Sequence, residues 1–511
     1  MNTFVNALNT ATNYKTTTND ALAYKSTNSA VYDMFALGGA YRSRSEDDIR
    51  LMFEKAYNED SALALKCLFY IGDCRGGQGE RRFFRVAFNW FCQTDPVHAG
   101  MLVEQIPEYR RWDDVLYATE GTEVFSTALH IIRHQLALDV DCRTPSLLAK
   151  WLPSENASSV KTKAMANKVR KFLGFSHKQY RKTLSLLRTR INVLEKLMSS
   201  NQWDKIEFDK IPSKAGLIYK NAFARRDIIA KKYEAFAKDE TTKVNAATLY
   251  PYEVVRKARE KMNYAFYSRN TSLGCFTGSD TDRAMINKYW DNLPDYLNGA
   301  NANMLCMIDT SGSMTSSYDN SSVAPIDVAI SLGLYTAERM SGPFANQYIS
   351  FASRPQLIKT DGVDFVDKVR RIYQTNLVDN TNLTAAFELL LNVAAKPGVK
   401  PEDIPSTVVI ISDMEIDCAI RRDWRDRTPM TTLVNTEMEA ERKKWAARGV
   451  KMPRLVYWNC NARNDTILDA SPDVSYVSGC SPVIYESILS GKTGFDLMLE
   501  KLNSKRYEVI A

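Results

Sequence analysis

The chain has 511 residues, of which 45% are hydrophobic and 25% are charged, close to the averages of soluble globular proteins. This composition excludes a disordered or collagen-like protein, and the length predicts about two to four domains. No apolar run is long enough to span a membrane, no signal peptide is recognisable, and the nine cysteines are scattered without a CxxC pair. We therefore expect a cytoplasmic protein without a membrane partner.

The net charge of +7 is distributed unevenly. Residues 161–261 contain 25 Lys and Arg against 10 Asp and Glu, so the rest of the chain is net negative. Such a concentration is typical of a surface that contacts phosphates, although solvated helices would give the same count. Tyr180, Tyr219 and Phe223 lie among these cations, where they could stack on unpaired bases. At helical spacing, such rings more often belong to a core.

Helical periodicity dominates the first half of the chain. After an N-terminal segment, residues 1–27, apolar residues recur every three or four positions over residues 28–267. Ser45, followed three residues later by Asp48, predicts one helix start. The pattern favours an all-α domain of HEAT-like helical repeats, although no clean repeat period is present.

The periodicity changes near residue 303, after a connecting segment (residues 268–302) in which we expect one helix around residues 283–292. Short apolar runs then occur at residues 304–309, 347–352, 407–412, 454–459 and 474–479. Helical stretches alternate with them at residues 326–340, 363–372, 383–395, 433–447 and 495–502. This alternation predicts a Rossmann-like, doubly wound α/β domain over residues 303–511, with ligands bound at the carboxyl ends of its strands.

Oxygen-bearing side chains gather at those strand ends. Asp309, Ser311 and Ser313 directly follow the first predicted strand, and Asp413 follows the strand at 407–412. Thr381 precedes a predicted helix and could add a hydroxyl. Hard divalent cations prefer oxygen ligands, so these five residues predict a site for one Mg²⁺ or Mn²⁺ ion.

This pattern resembles the metal-ion-dependent adhesion site of von Willebrand factor A domains. The resemblance covers about residues 301–505. Asn380 and Met414 stand where that family usually has glycine. The resemblance implies adhesion without catalysis, through a cation that accepts a carboxylate from a protein partner. The same loop could also persist as a fold feature that binds no metal.

A second resemblance lies in the helical half. Residues 73–81 read DCRGGQGER and resemble the DxRGGxGER hallmark of the module shared by telomerase, Ro and vault proteins. Residues 107–114 and 147–153 resemble an uncharacterised relative of that module from bacteria, plants, large viruses and phages. Helical repeats followed by an A domain are the architecture of Ro ribonucleoproteins. The resemblance implies a ring that binds small noncoding or misfolded RNA on its basic outer face.

Candidate RNA contacts come from residues 73–81, called the glycine-rich motif, and from residues 161–261, called the basic window. They are Arg75, Arg81, Lys163, Lys168, Arg170, Lys178, Arg181, Lys182, Arg225 and Arg226. The alternative function is a metal-dependent protein-interaction adaptor, or a viral particle component, that binds no RNA.

Signals of catalysis are weak. The sequence around Gly491 lacks the spacing of a nucleotide-binding loop, and His130 and His134 lack the glutamate of a zinc protease. We therefore expect that the protein is not an enzyme.

Overall fold

A computed structural model of the protein describes residues 12–17, 21–262, 275–300, 302–315, 323–351, 354–375, 382–415, 437–469, 471 and 473–510. The chain forms two compact units. One joins the described residues up to 67 with those from 249 to 509, and the other spans residues 68–248. No helix among the described residues is both long and apolar enough to cross a membrane.

The unit of residues 68–248 is built from helices, as predicted. The helix α3 (Ser61–Gly72) leads into it. Its further helices are α4 (Arg81–Thr94), α5 (Pro96–Leu102), α6 (Ile106–Tyr109), α7 (Trp112–Tyr117), α8 (Val124–Asp141), α9 (Leu148–Trp151), α10 (Val160–Leu173), α11 (His177–Arg190), α12 (Leu194–Ser199), α13 (Ser213–Ala224) and α14 (Asp227–Lys238). Their lengths range from 4 residues in α6 to 18 in α8, and the HEAT-like pairing stays a prediction.

The other unit contains a six-stranded sheet. Its strands are β3 (Met304–Asp309), β4 (Gln347–Phe351), β5 (Gln356–Lys359), β6 (Thr407–Ser412), β7 (Arg454–Asn459) and β8 (Val474–Ser478). They lie in the order β5-β4-β3-β6-β7-β8, and only the edge strand β5 is antiparallel to its neighbour. All five predicted strands are confirmed, whereas β5 and the separate hairpin of β1 (Tyr14–Thr16) and β2 (Leu22–Tyr24) were not predicted.

Helices accompany the sheet along the sequence, as a doubly wound domain requires. They are α1 (Ala30–Leu37), α2 (Glu46–Glu59), α15 (Pro251–Glu260), α16 (Asp280–Asp291), α17 (Pro325–Arg339), α18 (Phe365–Thr375), α19 (Leu383–Ala394), α20 (Glu437–Ala447), α21 (Tyr485–Leu489) and α22 (Gly494–Leu502). The predicted helix start at Ser45 is confirmed, since Ser45 and Asp48 form a reciprocal capping box. Residues 433–436 of one predicted helix, and 268–274 of the connecting segment, lie outside the described residues.

The compact units do not follow the predicted bounds of 28–267 and 303–511. The helix α1 packs along the edge of β8, where the Tyr476 amide donates to Tyr32 Oη at 3.0 Å and the Gly39 amide donates to Ser478 Oγ at 3.0 Å. On α15, Arg259 makes two hydrogen bonds of 2.8 Å to the fully buried carboxylate of Asp327. These contacts hold helices of the predicted repeat domain in the unit that contains the sheet.

The order of the strands fixes where a site can form. Counted from β3, the order is 3-2-1-4-5-6, so the chain leaves β3 and β6 in opposite directions. The helix α17, which follows β3, packs closely on it because Gly333 has no side chain, and a Cβ there would lie 2.1 Å from Ile308 Cδ1. A crevice is therefore expected beyond the carboxyl ends of β3 and β6.

Candidate functional site

Four of the five predicted metal ligands converge at this crevice. Asp309 is the last residue of β3, and Asp413 directly follows β6, the parallel neighbour of β3. Both carboxylates are buried, with 0% and 1% of their surface exposed. Ser311 and Ser313 lie in the turn after β3. The fifth predicted ligand, Thr381, lies outside the described residues, as does Asn380.

Hydrogen bonds hold the Asp309 carboxylate in one orientation. The Ser311 amide donates to Oδ1 at 2.9 Å, and the Ser412 hydroxyl donates to Oδ2 at 2.5 Å. The hydroxyls of Ser311 and Ser313 lie 3.0 Å apart. This role of Ser412 was not predicted, although its place at the end of the strand beside β3 could have indicated it.

The turn after β6 keeps a glycine-like conformation without glycine. Met414 has a φ of 63°, in the left-handed region that side chains other than glycine rarely adopt. Its amide donates to Ser412 Oγ at 3.0 Å, and the Glu415 amide donates to Asp413 Oδ1 at 3.3 Å. Met414 therefore replaces the glycine usual in von Willebrand factor A domains, but it preserves a turn that directs two amides back to the end of the strand.

The two buried carboxylates perturb each other. Burial, followed by the negative charge of Asp309, raises the pKa of Asp413 to about 7, and the nearby Arg463 partly offsets both effects. Asp413 Oδ2 is buried and has no hydrogen-bonding partner among the described residues. Since an ionised carboxylate in this position needs a cation, and the surrounding donors are oxygens, the residues present fit a hard divalent ion.

The structure adds one cation that the sequence does not indicate. Arg463 lies in the loop after β7, with Nη2 3.3 Å from Asp413 Oδ2, and it also donates a hydrogen bond to the carbonyl of Ser313. Arg463 is 150 residues from Ser313 along the chain. The parallel pairing of β6 and β7 brings its loop to this end of the sheet.

The glycine-rich motif in the helical unit has a structural role. Arg81 forms ion pairs with Asp113 and Asp114, and the buried Arg110 lies with Nε 3.0 Å from the other oxygen of Asp114. The glycine-rich motif and the stretch of residues 107–114 therefore pack on each other. Arg75 is exposed, but its guanidinium donates to the carbonyl of Glu108.

The candidate cations of the basic window differ in their surroundings. Lys168 pairs with Glu120 at 2.8 Å, Arg170 pairs with Glu155 at 3.0 Å, and Arg226 lies over the Trp203 ring. The remaining candidates are exposed and have no acidic partner in the described part of the chain: Lys163, Lys178, Arg181, Lys182 and Arg225.

Three of these cations share one face of α11. Lys178, Arg181 and Lys182 are spaced by three and four residues, which places them side by side on a helix. We call this set the α11 basic face. A shallow groove of about 470 Å³ adjoins it and is lined by Lys182, Thr183, Ser185, Leu186 and Thr189.

The aromatic side chains of the window belong largely to the core. Tyr180 and Phe223 are buried, and the Tyr180 hydroxyl donates to the carbonyl of Pro153 at 2.9 Å. Tyr219 donates to Glu195 at 3.1 Å. Of the two interpretations of these rings, the structure supports core packing for Tyr180 and Phe223.

Comparisons with known proteins identify the family. A model described as a domain of unknown function (DUF2828) matches residues 17–108 and 123–300, more than half of the chain. The chain belongs to the DUF2828 family. A second domain of unknown function (DUF7788) matches residues 303–508, which include the six-stranded sheet.

A relative of this DUF2828 chain is similar over most of the length of both proteins. The chain is 28% identical over 516 residues to the uncharacterized protein L728 of Acanthamoeba polyphaga mimivirus, across 94% of this chain and 85% of the relative. A crystal structure of the Deinococcus radiodurans RO (RSR) protein aligns with 90% of this chain and 92% of its own, at 13% identity and a TM-score of 0.35. That score is too low to establish a shared fold.

The pKa of Asp413 leads to a pH-dependent stability. Because this pKa is raised above that of an unfolded aspartate, the folded state retains a proton that the unfolded state releases between about pH 4 and pH 7. The contribution of Asp413 to the free energy of unfolding therefore falls as the pH rises from about 4 to about 7. In EDTA, we expect Asp413→Asn to exceed the parent in unfolding free energy by about 1 kcal/mol or more at pH 7.5, and to match it more closely at pH 4.5.

Urea unfolding at both pH values measures this difference. Asp361→Asn, at an exposed position, is the matched control and should parallel the parent. A difference between Asp413→Asn and the parent that stays constant with pH would contradict the assigned protonation.

Proposed function

We propose that this protein is an RNA-binding scaffold of the Ro type, in which a helical-repeat unit carries the RNA contacts and a von Willebrand A-like domain carries a separate divalent-cation site. The observation that carries the RNA proposal is the α11 basic face. Its three cations are exposed, adjacent and without acidic partners among the described residues.

The chemistry of this face suits a phosphate backbone. Cations already neutralised by carboxylates, such as Lys168, gain little from a phosphate, whereas Lys178, Arg181 and Lys182 have no such partner to give up. The hydroxyl of Thr183 in the adjoining groove adds a donor that positions a backbone without reading its sequence, whereas the Thr189 hydroxyl already donates to the carbonyl of Ser185 at 2.9 Å. The resemblance of the glycine-rich motif to Ro-type modules supports RNA as the polymer, and small noncoding or misfolded RNA as its class.

Charge reversal on the α11 basic face tests the RNA proposal. Each engaged cation releases counterions from RNA, so log affinity falls with log salt by about 0.7 to 0.9 per contact. We expect Arg181→Glu combined with Lys182→Glu to lower this slope by about one to two units. Fluorescence anisotropy of a structured RNA with a single-stranded tail, titrated over a salt series, measures it.

A matched control separates a local contact from net charge. Lys210 and Lys238 are also exposed, but Glu207 and Glu234 neutralise them. The double reversal Lys210→Glu and Lys238→Glu changes the net charge equally and should leave most of the slope intact. Equal losses in both double variants, or no binding by the parent at low salt, would contradict an RNA site on α11.

The second candidate function is metal-dependent protein binding, favoured by the convergence of oxygens at the ends of β3 and β6. Asp309, Ser311, Ser313 and Asp413 would hold one Mg²⁺ or Mn²⁺ ion, with Thr381 as the fifth predicted ligand. Bound there, the cation would supply an electrophilic position for a carboxylate of a protein partner. Catalysis is not part of this proposal.

Replacement of Asp309 tests the cation site. Asp309→Ala removes a buried carboxylate whose orientation is already fixed, so calorimetry with Mn²⁺ should detect one site in the parent and none in the variant. Asp361→Ala, at an exposed position in the same unit, should bind as the parent does. Equal heats in the parent and Asp309→Ala would reject these ligands.

A further inference from the structure

Arg463 places a protein cation inside the proposed metal site. Its Nη2 atom lies 3.3 Å from Asp413 Oδ2 and donates to the carbonyl of Ser313, so it connects the two loops that would hold the metal. Its side chain is 17% exposed, while the side chain of Asp413 is fully buried. Arg463 is thus the more exposed partner of this charged pair.

The backbone around Arg463 is held independently of the carboxylates. Its carbonyl accepts a hydrogen bond of 2.5 Å from Arg44, and Arg44 in turn pairs with Asp48 at 3.1 Å. The Ala462 amide donates to the carbonyl of Ala40 at 3.3 Å. Since these contacts fix the loop, the Arg463 side chain can leave Asp413 without a movement of the loop.

The contact between Arg463 and Asp413 is one of charge, without a hydrogen bond to Asp413 Oδ2. We propose that Arg463 is an internal counter-ion that a divalent cation must displace from Asp413, a role that rests on the proposed metal site. A guanidinium and a divalent ion at the same carboxylate oxygen repel each other, so their occupancies are mutually opposed. By linkage, the guanidinium lowers the affinity for the metal by the same factor by which the bound metal weakens the contact between Arg463 and Asp413.

The test compares Mn²⁺ affinities of full-length variants, measured from the electron paramagnetic resonance signal of free Mn²⁺. We expect Arg463→Gln to bind Mn²⁺ at least about tenfold more tightly than the parent, because the competing charge is gone. Arg463→Lys keeps the charge and should stay within a few-fold of the parent. Arg448→Gln removes an exposed charge of the same unit, which contacts Asn392, and should not change the affinity.

The outcomes separate this inference from the metal site itself. If the parent binds Mn²⁺ and Arg463→Gln binds equally or more weakly, Arg463 only positions Asp413 and the inference is overturned. If neither binds, both proposals are overturned, whereas binding by Arg463→Gln alone supports both. Binding by a variant that also carries Asp309→Ala would place the ion elsewhere and overturn the inference.

A measurement on the parent protein covers the case in which Arg463→Gln does not fold. Phenylglyoxal modifies accessible guanidinium groups, and mass spectrometry locates the adduct. Saturating Mn²⁺ should raise the labelling of Arg463 several-fold while that of Arg448 stays constant. Unchanged labelling of Arg463 in a protein that binds Mn²⁺ would overturn the inference.

Discussion

The burial of two carboxylates, Asp309 and Asp413, at the ends of neighbouring parallel strands is the constraint on which this end of the sheet depends. An uncompensated buried charge costs several kcal/mol, so the surrounding chain must supply hydrogen bonds and positive charge. The Ser311 amide and the Ser412 hydroxyl do so for Asp309, and Arg463 does so for Asp413. The strand order creates the crevice, and these contacts reduce the energetic cost of burying two carboxylates in it.

This arrangement explains why so irregular a turn persists after β6. Met414 occupies a conformation that glycine would adopt without strain, yet it is buried and its amide contacts Ser412. The hydrogen bonds of this turn, from the Met414 amide to Ser412 Oγ and from the Glu415 amide to Asp413 Oδ1, offset part of the cost of that conformation. A site that combines oxygen ligands with an internal guanidinium would bind a cation less strongly than the same ligands alone.

Sequence patterns predicted the parts of the fold that local residues determine. The fully buried strands β3, β6 and β8 are short apolar runs, and their carboxyl ends indicated the site. The edge strand β5 was not predicted because it is mostly exposed and carries no buried pattern. Arg463 was not predicted because only tertiary pairing brings its loop to the site. The compact units cross the predicted domain bounds because an amphipathic pattern shows that a helix such as α15 packs, but not what it packs against.

The basic window illustrates the same limit for electrostatics. A count of charges predicted a broad RNA-binding surface, but it could not separate neutralised cations such as Lys168 and Arg170 from the exposed set on α11. The aromatic spacing likewise could not distinguish a stacking surface from a core, and Tyr180 belongs to the core. Among the described residues, the structure therefore leaves five exposed candidates without an acidic partner, and three of them share one face of α11.

The central claim is that the paired carboxylates at the switch point of the sheet form a cation site. Anomalous diffraction from a crystal soaked in Mn²⁺ tests it most directly, because the manganese signal locates the ion without reference to activity. The account predicts one strong peak between Asp309, Ser311, Ser313 and Asp413, with the Arg463 guanidinium turned away from Asp413. A crystal with no peak there, and with Arg463 still against Asp413 at saturating Mn²⁺, would contradict it.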